Sequence, residues 1–188
     1  MYPWLLFGHL LGVVLLVAGW GIYVASVEGF RRAQAVAQLR TLAGLITVGE
    51  RVLIAGGPLL IGFGLALVVK FYSFSQTWII VALALVALQG VLGAAIVGPR
   101  VRRLHAALGA AQDGPLAGDL LARTRDRVLH AANRASVPVL IEIEFLMSVK
   151  PAGADIALSL LVVAILAVAL TWPFIAERAI TPPVATTQ

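Results

Sequence analysis

Few side chains in this sequence can do chemistry, and those that can lie inside apolar stretches. His9 follows Gly8 in a run otherwise made of apolar residues and glycine, and Gln89 sits in the middle of another. Glu142 and Glu144 lie in a third, which ends at Lys150 and Pro151. An imidazole can ligate a metal or a haem iron and can exchange protons near neutral pH, and buried carboxylates can relay protons. Charge in hydrocarbon costs roughly 2.5–3.5 kcal/mol per ionised residue on insertion scales, so such groups have a partner or a job.

Spacing limits that chemistry. Two residues apart on a helix, Glu142 and Glu144 project about 200° from each other and cannot form an adjacent carboxylate pair. One is expected to face a bundle; the other lies near an interface, pairs with an arginine or is protonated. At ~1.5 Å per residue, His9 lies roughly 7–8 Å below Trp4, while Glu144 and Glu142 lie about 9 and 12 Å below Lys150. If the segment holding the carboxylates crosses outward, all three share one leaflet. They then form a polar pocket, with His9 as candidate haem or metal ligand and Glu142, Glu144, Gln89 and Lys150 as its other polar groups. The competing reading is structural, because His and Gln commonly hydrogen-bond between membrane helices.

The elements that must hold these residues follow from composition. Of 188 residues, 61% are hydrophobic and 12% charged. Soluble domains carry about 25% charged residues, so the expectation is an all-α, polytopic transmembrane bundle. Cysteine is absent, which excludes thiolate metal sites and cysteine catalysis. No phosphate loop, zinc signature, nucleophile motif or internal repeat is present. The N-terminus lacks the basic region of a signal peptide, so the first stretch is read as a retained helix.

A crossing needs about 20 mostly apolar residues. Spans are expected at about 4–26, 46–69, 77–98 and 155–176, with a fifth, shorter one at 136–150; without it there are four. Residues 1–180 form one domain and 181–188 a polar, disordered tail. Gly8 with Gly12, and Gly21 with Ala25, are spaced for close helix packing. Gly56-Gly57-Pro58 predicts a kink or opening in the second helix.

Charge sets the orientation. Arg31, Arg32 and Arg40 follow the first span, and Arg100, Arg102, Arg103, Arg123, Arg125, Arg127 and Arg134 follow the third. Cytoplasmic loops collect Lys and Arg. The N-terminus is therefore expected outside an inner (plasma) membrane, with both arginine-rich loops cytoplasmic. This rule accounts for the net charge of +5 without a nucleic-acid partner. Lys150 then lies outside, and Arg178 favours a tail inside. The loop 99–135 is read as a helical hairpin. Val101, Leu104, Ala107 and Leu108 share one apolar face, and Leu116, Leu120, Leu121, Val128 and Leu129 share another. Asp113 is the expected N-cap after the break, and His105 and His130 are expected on the surface.

His9 in a first helix, Arg51 with Pro58 in the second, Trp78 opening the third, then Asn133, Pro138 and Lys150-Pro151 occur in the order seen in the HemJ–CopD-like superfamily. Over about 4–172 the chain resembles the uncharacterised integral-membrane branch of that group. HemJ proteins are protoporphyrinogen oxidases associated with haem b, and CopD proteins are linked to copper uptake. The resemblance implies five crossings and carries over His9 as an axial ligand or metal ligand and Arg51 as a propionate partner. The third helix reads Ile79-Ile80-Val81 where HemJ proteins carry a lysine, and the fourth carries Glu142 and Glu144 where theirs is apolar, so the expectation leans away from an enzyme. The leading expectation is a small membrane protein binding haem or porphyrin through His9. The alternatives are a copper or small-solute permease component, a structural subunit or homo-oligomer in a membrane complex, and a HemJ-like oxidase.

Overall fold

In hydrocarbon every backbone N–H and C=O must be bonded within the chain, and an α-helix does this unaided. The structure, a computed structural model, describes the backbone of residues 1–180 and the side chains of 1–174 and Ala176. Among them the fold is all-α: α1 (Tyr2–Phe30), α2 (Val36–Phe71), α3 (Thr77–Val91), a π-helical turn (Leu92–Val97), α4 (Gly98–Ala110), α5 (Gly118–Thr124), α6 (Arg127–Val149) and α7 (Ala154–Ile180). The tail 181–188 and the side chain of Arg178 lie outside the described residues.

Four of these helices are long and apolar enough to cross a membrane: α1, α2, the continuous α3–α4 rod (Thr77–Ala110) and α7 over Ala154–Phe174. Helix α6 has 23 residues, about 34 Å, more than a bilayer's ~30 Å hydrocarbon core. It runs between the same two ends of the bundle as the other four, although α2 and the α3–α4 rod extend further. Tyr2, Tyr72, Trp78 and Lys150 meet at one end. Glu28, Arg31, His130, Arg134 and Phe174 meet at the other. The five long helices therefore alternate in direction between the same two ends. Helix α7 covers α6, so Glu142 is buried between them rather than facing lipid.

At the arginine-rich end the helices run past the expected spans, because their extensions are amphipathic. Helix α2 starts at Val36 rather than near residue 46, burying Val36, Leu39, Ala43 and Ile46 while Gln38, Arg40 and Thr41 face out. These pack on Val101, Leu104, Leu108 and Leu129, with Leu116 and Leu120 against them. Val128 departs from the expected face and is exposed. Asp113 caps no helix; it pairs with Arg40 across the hairpin, and the backbone of Ala117 opens α5. The side-chain cap belongs to Asp126, which accepts from Leu129 N at 3.0 Å and starts α6. His130 is fully buried rather than on the surface, and His105 is half-buried, its Nε2 3.3 Å from Ala43 O. Pro99 cannot donate an N–H and crowds the carbonyl four residues back; the wider π turn before it, closed by Gly98 N–H to Gly93 O, relieves both.

Helices α1 and α2 form the tightest pair. A Cβ at Gly12 would sit 2.3 Å from Leu60 N, and one at Gly19 would sit 2.7 Å from Gly49 O. Backbone thus touches backbone in antiparallel register, and Gly56 continues the contact against Leu15 and Gly12 O. Pro58 lies within an unbroken α2. Gly21 has nothing within 4 Å, so the expected Gly21–Ala25 packing pair is not at this interface. Gly12→Val must push the hairpin apart and should cost about 1–3 kcal/mol or more, whereas Gly21→Ala should leave stability unchanged or slightly raised. Helicity followed during heating in detergent measures both.

Candidate functional site: an intramembrane cavity

Away from the arginine-rich end, the α1–α2 hairpin and the α3–α6 face separate. The gap is a cavity of about 690 Å³, within the ~300–1,000 Å³ typical of small-molecule and cofactor sites. Leu6, His9, Val13, Leu16 and Trp20 line it at roughly one residue per turn of α1, so it runs along the bundle axis. The core around Trp78, Ile79, Leu146 and Ile156 supports one end, and the core around Phe30, Ile46 and Leu104 the other.

His9 is half-buried in the wall, its Nδ1 2.9 Å from Leu60 O. A carbonyl only accepts, so Nδ1 carries a proton, and in the neutral ring Nε2 is then the nitrogen with the lone pair. The bond depends on Gly64, where a Cβ would lie 2.9 Å from Nδ1. A backbone carbonyl holding one ring nitrogen is the usual support for a histidine that ligates through the other. Glu144 lines the same cavity from α6. Glu142 does not reach it: buried, it accepts from Ser159 Oγ at 2.7 Å and ties α6 to α7. The two carboxylates thus face different neighbours, as their spacing requires.

Gln89 also borders the cavity, but its Nε2 donates to Ser136 O at 2.7 Å, joining α3 to α6. Asn133 Nδ2 donates to Val24 O at 3.2 Å. Arg51 is exposed and does not line the cavity; its neighbour Glu50 does, together with Tyr23 and Arg102. At the opposite end are Lys150, Tyr72, Tyr2 and Trp78. Lys150 Nζ donates to Tyr72 Oη at 2.9 Å, and Tyr72 Oη lies 3.2 Å from Tyr2 Oη. Lys150's ammonium holds the Tyr72 phenol below its usual range. Sequence reasoning did not reach Tyr2, Tyr72, Glu50 and Arg102. The one signal for the tyrosines is their place at span ends, which aromatic residues favour in any membrane protein.

No three His, Asp or Glu side chains gather among the described residues into a set for a bare metal ion.

Outside the spans, at the arginine-rich end, His130 Nε2 donates to Thr124 O at 2.8 Å and its Nδ1 has no partner among the described residues. Burial pushes this imidazole below its ordinary value. The unfolded residue takes a proton near pH 6.5 and the folded one only at lower pH, so protonation favours unfolding. Stability should be complete above about pH 6.5 and decline as pH falls through it. His130→Gln should flatten that decline, read from thermal unfolding at a series of pH values.

Set beside models of protein families, curated proteins and solved structures, the chain matches none.

Proposed function

We propose that this multi-pass membrane protein binds haem or a related porphyrin in its cavity, with His9 Nε2 as the axial ligand. The observation that carries the reading is the His9 Nδ1 to Leu60 O bond, which leaves Nε2 unbonded beside a cofactor-sized, largely apolar space. The order of motifs shared with the HemJ–CopD-like superfamily supports it. His9 would hold the group and Leu60 O and Gly64 would orient the ring; bound iron would supply redox or ligand-binding chemistry. The apolar walls would exclude water. No catalytic residue is assigned.

A second reading has its own observation. Polar residues border the cavity from Lys150 at one end to Glu50 and Arg102 at the other, as the path of a small-solute permease would require. Purified protein should show a Soret band that His9→Ala abolishes while the fold is retained. Colourless protein that takes up no added haem, with pH-dependent solute flux altered by Glu144→Gln, would favour the permease.

The membrane is a bacterial-type inner membrane in this reading, and the N-terminus lies outside. Five crossings then put Gln188 in the cytoplasm. A phosphatase reporter fused there should be inactive and a fluorescent-protein reporter active; the opposite pattern rules the arrangement out.

A further inference from the structure

The cavity mouth opposite the arginine-rich end gathers donors without an acceptor to match. Tyr2, Tyr72, Trp78 and Lys150 reach it from α1, the end of α2, α3 and the end of α6, and all four line the cavity. Among the described residues no carboxylate lies within ion-pair distance of Lys150. Its ammonium is held instead by aromatic groups, 4.9 Å from the Tyr72 ring centroid and 5.8 Å from that of Trp78. Lys150 is also the one described non-glycine residue with positive φ, at 53°, a conformation a lysine seldom adopts. The aromatic belt of a membrane protein faces lipid headgroups; here the same residue types also line the cavity mouth.

Tyr72 accepts from Lys150, and across the 3.2 Å contact with Tyr2 either phenol can be the donor. In either direction one phenol O–H of the pair and the remaining N–H groups of Lys150 are left to donate. We infer that Lys150, Tyr72 and Tyr2 form an anion receptor that takes the carboxylate of an amphipathic ligand whose apolar body fills the cavity. This rests on the cavity being a ligand site. For a porphyrin it assigns the propionate contact to Lys150 rather than to the outward-facing Arg51.

The test compares haem with haem dimethyl ester, whose carboxylates are masked, by titration into the full-length protein. Wild type should bind haem at least about tenfold more tightly than the ester, as a charge-assisted hydrogen bond implies. Lys150→Gln should bring haem to the ester's affinity and leave the ester unchanged, and Lys150→Arg should keep the preference. Equal binding of acid and ester by wild type, or an equal loss of both in Lys150→Gln, overturns the receptor. If neither tetrapyrrole binds, the haem reading fails separately. A fluorescent fatty acid and its methyl ester then decide: a Lys150-dependent preference for the acid sustains the receptor, and equal binding overturns it.

Discussion

The contact of α1 with α2 at backbone distance is the constraint on which the rest depends. Lipid tails are as apolar as leucine, so membrane helices gain little from burying apolar surface against each other. Small residues that let backbones meet supply van der Waals packing instead, and Gly12, Gly19, Gly49 and Gly56 do this along one antiparallel seam. The seam brings His9 onto Leu60 O and requires glycine at 64. A hairpin so closely joined acts as one wall, and the cavity is what remains where the second wall does not follow it.

The second wall is joined by polar bonds. Gln89 to Ser136 O links α3 with α6, and Glu142 with Ser159 links α6 with α7. The two walls meet chiefly at the arginine-rich end. There Arg134 makes a two-pronged bond to Glu28 at 2.7 and 3.3 Å, and Asn133 reaches Val24 O. Phe174 receives the guanidinium groups of Arg31 and Arg134 at 4.8 and 4.9 Å, with His130 stacked at 6.0 Å. This knot anchors α7 near its end. Joined at one end by packing and bordered at the other, at the cavity mouth, by a tyrosine–lysine chain, the bundle keeps its middle open.

Polar groups inside the bundle therefore divide into two sets. Gln89, Asn133 and Glu142 are bonded across helices and serve cohesion. His9, Glu144, Lys150 and Tyr2 instead border the open space of the cavity.

Composition and the run lengths of apolar residues determined by themselves that this chain is an all-α bundle suited to a bilayer, since no other secondary structure satisfies the backbone there from one segment. Periodicity likewise assigned the apolar faces of α4, and the spacing of Glu142 and Glu144 settled that they cannot pair. Tertiary structure alone decided the rest. His130 is buried and Arg51 exposed because helix rotation, which α2 and α6 derive from their neighbours, carries no trace in an arginine-rich or uniformly apolar stretch. Which glycines touch depends on the register of α1 against α2, so Gly8 and Gly12 pack while Gly21 does not. The mouth joins residues 2, 72, 78 and 150, distant in sequence, because alternating helix directions bring the start of α1, the end of α2, the start of α3 and the end of α6 to one side.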